Sequence, residues 1–227
     1  MSRIPISIGS NCIPAAHLDA LGLRRESYPL DWLGIQGVRS IAYVHALIAT
    51  DFADFTSDLR YDAKGFVVAG RYPETLFGHH DLIGNRIGNP RSGYQPCEES
   101  LVQVYNRRAS RFLTVLAEQP VLLISAVFHS EVQFSEDYIA SVGPFLAMLE
   151  ERKVDAELAV VLFDDQAFEV ALPLEQLRSH DRVHLAQFVR DQDVNPWFGS
   201  TATFAACLKD VLPTGLKVGT FAGVLDH

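Results

Sequence analysis

Three apolar runs constrain the fold of this chain more than any other feature: Val121 to Val127, Leu158 to Phe163 and Val183 to Phe188. Each is strand-length and too continuous for a strand with one wet face, so each needs cover on both sides. Amphipathic helices fill the intervals. Ser100 to Glu118 carries Leu101, Val104, Tyr105, Phe112, Val115 and Leu116 on one stripe ahead of Pro120, and Ser135 to Glu151 also reads as a helix. Buried strands alternating with such helices predict an α/β fold with a mostly parallel sheet, which the short segment Ile4 to Ile8 can join. At 227 residues with 48% hydrophobic content, the expectation is one three-layer domain over residues 1–227.

The N-terminal half reads differently. After Ile8, the residues Gly9, Ser10 and Asn11 make a turn, and Ala16, Leu18 and Leu21 then fall at helical spacing from Ile13. Ser10 or Asn11 can cap that helix, and Pro14 is tolerated in its first turn. Ser27 to Trp32, held by Pro29, reads as a rigid linker, and Ile35 to Thr50 as a second helix. From about 51 to 96 glycine and proline recur so often that only Phe66 to Ala69 looks like a strand. A long irregular region of this kind is uncommon in a compact domain and is usually a lid or a binding loop. Thr203 to Val211 predicts a last helix, and Gly215 to Leu225 fits no element.

Charge and cysteine content remove several classes of function. Nineteen Lys and Arg against 28 Asp and Glu leave a net charge of −9, which repels polyanions. Arg107, Arg108 and Arg111 form one face of a helix, not a nucleic-acid footprint, so neither nucleic acid nor a membrane is an expected partner. Val121 to Phe128, interrupted by Ser125, falls far short of the roughly 20 apolar residues a spanning helix needs. Pro5, Ser7 and Gly9 interrupt the start before a secretory h-region can build up. Cys12, Cys97 and Cys207 are odd in number and widely spaced, which argues against a disulfide framework and for a reducing, cytoplasmic setting. His79, His80 and Asp81 with Cys12 or Cys97 match no standard zinc spacing, and Gly9 to Cys12 is neither a P-loop nor a dinucleotide fingerprint. No metal and no cofactor is expected.

In open α/β sheets ligands gather beyond the carboxyl ends of the strands. That rule selects Gly9 to Cys12, His129 to Glu131, Asp164 with Asp165, and Asp191 to Trp197. Cys12 is the one cysteine among them. A thiol at a helix N-terminus feels the positive end of the macrodipole, which lowers its pKa and suits a nucleophile, and nearby N–H groups could serve an oxyanion, although Pro14 removes one. The competing reading is a small residue filling a strand–helix junction. A thiolate needs a base. His17 and His45 fall on helices, His180 and His184 lie at the wrong end of a strand, and His227 is terminal, which leaves His79 and His80 beside Asp81, with His129 in reserve near Glu131. Asp181 and His184 invite comparison with the Asp-x-x-His pair of serine esterases, with Ser10 as nucleophile, but they stand at a strand's start. Tyr28, Trp32, Phe77 and Trp197 lie beside turns where they could wall a pocket.

Three segments taken together carry a resemblance: Ile6-Ser7-Ile8-Gly9-Ser10-Asn11-Cys12, then Ser27-Tyr28-Pro29-Leu30-Asp31-Trp32, then His79-His80-Asp81 ahead of Asn106 to Phe112. They resemble an uncharacterised bacterial family described as papain-like cysteine peptidases, over roughly residues 4 to 170. Leu30 stands where that pattern has Phe. The resemblance implies thiol-dependent cleavage of an amide or ester bond, with Cys12 as nucleophile, His80 as base and Asp81 or Asp31 orienting it. His79, Ser10, Asn11 and His129 complete the candidate residues. The substrate would be a peptide, a small molecule or an acylated compound. Two alternatives stay open: an esterase or deacylase acting on a glycan or small acylated metabolite through Ser10 or Cys12, and a non-catalytic ligand-binding accessory domain.

Overall fold

The computed structural model describes residues 3–63, 66–77 and 101–213. In chain order the elements are β1 (Ile4–Ser7), α1 (Ile13–Ala20), β2 (Gly34–Ile35), α2 (Ser40–Ala49), β3 (Leu59–Tyr61), β4 (Val67–Ala69), β5 (Tyr72–Leu76) and α3 (Leu101–Glu118). There follow β6 (Val121–Phe128), α4 (His129–Val132), α5 (Glu136–Glu151), β7 (Ala156–Asp164), α6 (Leu172–Glu175), β8 (Val183–Val189) and α7 (Thr201–Cys207).

The three apolar runs become β6, β7 and β8, and β1 joins them in an all-parallel sheet ordered β1-β6-β7-β8. Ile4 pairs with Val121, and Val121 with Ala156, so the strands start level and their carboxyl ends form one edge. The continuous hydrophobicity of these strands has the expected cause. On one face Leu122, Ile124, Ala126, Val161 and Phe188 pack with Ile13, Leu18 and Phe204 of α1 and α7. On the other, Leu123, Val127, Leu158 and Val160 share a core with Val44, Phe112, Val142 and Phe145 of α2, α3 and α5. Successive strand residues point to opposite faces, so a strand covered twice must be apolar at every position.

Two expectations for the N-terminal half need correction. The segment expected as an irregular stretch carries β3 and β5 as well as β4, and these form a small antiparallel sheet ordered β2-β5-β4-β3. The strands are only two to five residues long, and in the sequence Gly65, Gly70 and Pro73 punctuate the run, which conceals their alternation. The helix expected from Ile35 begins at Ser40. Gly34 and Ile35 pair with Leu76 and Thr75 instead, and a single 3-10 turn over Gly37–Arg39 leads into α2. Pairing across strands outweighs the weak helical preference of a segment that holds two glycines. The last helix covers Thr201–Cys207, shifted from the expected Thr203 to Val211. Ser200 explains its start, because its hydroxyl accepts from the Thr203 amide. His79, His80, Asp81, Cys97 and Gly215 to Leu225 lie outside the described residues. Among the described residues no helix is long and apolar enough to cross a membrane.

Candidate functional site around Cys12

The turn between β1 and α1 is built from backbone conformations that few residues accept. Gly9 and Ser10 both have positive φ, at 92° and 71°, which swings the chain off the end of β1 and aims Asn11 back at the sheet. Asn11 Nδ2 donates to the carbonyl of Ala126 on β6 at 2.8 Å, while its Oδ1 accepts from the Ile13 amide at 2.9 Å. One side chain thus ties the helix start to the neighbouring strand. Cys12 is the residue immediately before α1 and is half-buried.

Around the sulfur the surroundings are apolar. Ala16 and Trp32 are buried together, and Cys12 and Phe198 both pack against them. Burial pushes the Cys12 thiol up to about 11, and a hydrogen bond with its own backbone amide offsets only part of that rise. The expected lowering by the helix terminus is therefore overturned. Asn11 occupies the Ile13 amide and Pro14 has no N–H, so two of the donors at this terminus are gone.

Trp32 is delivered by the Ser27–Trp32 linker, and the linker is held by ions. Asp31, 1% exposed, accepts from Arg24 Nε at 3.0 Å and from the Tyr28 amide at 2.9 Å. Arg24 also donates to Ser27 Oγ at 2.6 Å and lies over the Trp32 ring, 5.3 Å from its centroid. From α3, Arg111 donates to the Ser27 carbonyl at 3.0 Å and pairs with Glu26 at 2.8 Å. Burial raises the Asp31 carboxyl against the opposing pull of Arg24. Asp31 is thus occupied in fixing this linker, and Arg111, first met as one residue of a basic helix face, is a tether.

The remaining candidates stand elsewhere on the same edge. His129 begins α4 at the carboxyl end of β6, is 6% exposed, and stacks on Phe168 with ring centroids 4.3 Å apart. Burial lowers its pKa while Asp164 pulls the other way, and Nε2 has no hydrogen-bond partner among the described residues. Phe168 packs on the core shared by α2, α3 and α5, whereas Cys12 packs on Ala16 and Trp32. His184, near the amino end of β8, pairs with Glu157 of β7 at 2.7 Å. Beyond β7 and β8, Asp165, Gln166, Arg190, Asp191, Asp193 and Thr203 line an open depression of about 740 Å³. Arg190 is held there by Asp165 at 2.7 Å.

His17 sits in a setting that its place on a helix does not reveal. His17 is fully buried on α1, with Nε2 2.9 Å from the Phe198 carbonyl oxygen and Nδ1 3.1 Å from Thr201 Oγ1. A carbonyl only accepts, so Nε2 carries the proton and Nδ1 accepts from the Thr201 hydroxyl. The ring stacks on Phe204 at 4.3 Å, and burial lowers its pKa to about 4 despite the Phe198 bond. The turn signal in Asn195-Pro196-Trp197-Phe198-Gly199 was the only hint that a closed loop follows β8.

The family model described as "Putative papain-like cysteine peptidase (DUF1796)" matches residues 3–166. The chain belongs to this family. The matched span takes in β1, the Cys12 turn, the Ser27–Trp32 linker and the strands β6 and β7. No curated protein matches the chain, and no solved structure does.

Proposed function

We propose that the protein is a thiol hydrolase of the papain-like type, in which Cys12 attacks the carbonyl carbon of an amide or ester. The observation that carries this reading is the placement of Cys12: half-exposed, at the carboxyl edge of a parallel sheet, on a turn fixed by both bonds of Asn11. Because burial keeps the thiol protonated near neutral pH, the resting nucleophile is the neutral SH. Its proton leaves as the S–C bond forms, and the base proposed to take it is His80, with Asp81 orienting the imidazole. His79 is the second choice of base. The proton then passes to the departing amine or alcohol, and water releases the acyl group from Cys12. With the Ile13 amide engaged and Pro14 lacking one, the amides of Cys12 and Ala15 are the nearest candidates to stabilise the oxyanion. The substrate class in this reading is a peptide or an acylated small molecule.

The test is a pair of measurements. Hydrolysis of a panel of short acyl esters and peptide amides should vanish in Cys12→Ala and fall at least about 100-fold in His80→Ala, the lower range for loss of a positioned base. Iodoacetamide labelling of Cys12 in the wild type should rise about tenfold per pH unit up to pH ~9 without a plateau, since a thiol titrating near 11 is still gaining thiolate there. A plateau near pH 7, or full activity in Cys12→Ala, defeats the reading.

One observation favours a second reading. Ser10 holds φ 71°, a left-handed conformation uncommon for serine, on a strand–turn–helix junction that resembles the strained turn presenting nucleophilic serines. Esterase activity lost in Ser10→Ala and kept in Cys12→Ala selects this alternative.

A further inference from the structure

The loop that follows β8 returns to the region of the sulfur, and one buried imidazole fastens it there. The loop leaves β8 at Val189, and its residues 190–200 fold on themselves. Asn195 Oδ1 accepts from the amides of Trp197 and Phe198, and Gly199 takes φ 72° with a Cβ position only 3.0 Å from the Asp191 nitrogen. Its last part presents Phe198 to Ala16 and Trp32, the pair on which Cys12 also packs. Two of the bonds that hold this arrangement come from His17, one turn and a half along α1 from Cys12: Nε2 to the Phe198 carbonyl at 2.9 Å, Nδ1 to Thr201 at 3.1 Å. Phe188 at the end of β8 and Phe204 of α7 hold the ring edge-on and face-on, at 5.4 Å and 4.3 Å between centroids.

We propose that His17 is a positioning residue for the Cys12 site: through Phe198 and Thr201 it fixes the post-β8 loop over the apolar nest of the sulfur, and so limits the size of the group that can approach it. Two features make the clamp selective for histidine. The ring offers a donor and an acceptor on opposite sides, each matched to a partner of the opposite kind, and its flat face fills the space against Phe204. A residue that only filled space would take these hydrogen bonds away from the Phe198 carbonyl and the Thr201 hydroxyl. The walls beside the thiol, Phe198 held by His17 and Trp32 held by its own linker, are aromatic, so the group admitted there is uncharged and of limited bulk. This inference rests on the proposed function only in treating Cys12 as the reacting atom.

The experiment compares labelling of Cys12 by a small reagent, iodoacetamide, and a bulky one, N-phenylmaleimide, each followed at Cys12 alone by peptide mass spectrometry on the intact folded protein. In wild type the bulky reagent should be the more strongly hindered of the two, relative to a free model thiol. In His17→Ala its rate should rise at least tenfold while that of iodoacetamide changes less than threefold. Phe198→Ala, which removes the wall and leaves the imidazole, should reproduce the change, and His17→Gln, which keeps a donor and an acceptor, should restore part of the discrimination. Leu208→Ala, a core truncation on the α7 side that leaves the clamp intact, should destabilise the fold without altering the ratio of the two rates. If neither His17→Ala nor Phe198→Ala changes that ratio, or if Leu208→Ala changes it equally, the proposal is overturned. Loss of the hydrolase reading has a different signature, hydrolysis surviving in Cys12→Ala, and leaves these labelling ratios untouched.

Discussion

Arg24 Nε stands 3.0 Å from Oδ2 of Asp31, with both side chains withdrawn from solvent at 9% and 1% exposure. An ion pair so placed costs desolvation on both sides, but removing one member strands the other charge in the interior. Asp31→Asn should therefore destabilise the protein by about 3 kcal/mol in urea unfolding. Arg24→Gln should cost a similar amount, and the double variant much less than the sum, because the two residues act as one unit. Near-additive losses would show that Asp31 does something other than hold the Ser27–Trp32 linker.

A pH dependence follows from His17. Its imidazole titrates near 4 in the folded protein and near the ordinary 6.5 when unfolded, because burial disfavours the charged ring. The unfolded chain thus binds the proton first as pH falls, so this residue's contribution is complete above pH 6.5, is lost progressively between 6.5 and 4, and changes little below that. Across this window the loss amounts to about 3 kcal/mol. Comparing wild type with His17→Gln isolates the effect, since glutamine does not titrate. The stability gap between them should shrink by that amount from pH 7 to pH 4, and a constant gap would contradict a buried neutral imidazole.

What the sequence disclosed, and what it withheld, follows from where information is local. β6, β7 and β8 were legible because strands covered on both faces must be apolar at every position, a pattern confined to the strand itself. The carboxyl-edge rule likewise picked out Cys12, Asp165 and Asp191 with no tertiary knowledge. The small antiparallel sheet was concealed, because β2 is two residues long and its pairing with β5 reaches across some forty residues of chain. Asp31 could be singled out by its motif, yet its partner Arg24 could not, since nothing in the spacing of the two shows that the intervening chain folds back. His17 was the instructive case. A histidine on a helix says nothing of which face it occupies until a loop some 180 residues later arrives to meet it. The direction of the Cys12 shift misled for a related reason: the helix terminus is visible in sequence, whereas the apolar nest made by Trp32 is not.

Gly9 offers a test of the turn itself. Its φ of 92° lies where an L side chain is strained, and a Cβ there would come within 2.9 Å of Ile35 Cδ1. Ile35 belongs to β2, and its amide donates to the Ser10 carbonyl at 3.0 Å, so pushing it away also disturbs the next residue of the turn. Gly9→Ala should cost about 1–3 kcal/mol in thermal or urea unfolding, the usual size of a forced backbone conformation. Gly22 has a comparable φ of 65° with open space where a Cβ would be, so Gly22→Ala should be the milder change.

Asn11 carries the most structural consequence for Cys12, because one side chain performs two jobs that no other residue type combines. Its Oδ1 satisfies the Ile13 amide at the start of α1, and its Nδ2 reaches the Ala126 carbonyl on β6. Asn11→Ala removes both and should cost about 1–2 kcal/mol, the range for lost side-chain bonds to two backbone groups. Asn11→Ser can keep the bond to the Ile13 amide through its hydroxyl but is too short to reach the strand, so it should fall between alanine and wild type. The two bonds also fix where the Cys12 backbone stands relative to β6. In both variants labelling of Cys12 by iodoacetamide should change by more than the loss of stability explains, with Ser closer to wild type than Ala. If stability falls as expected while Cys12 labelling stays as in the wild type, the Asn11 bonds hold α1 in place without governing the sulfur.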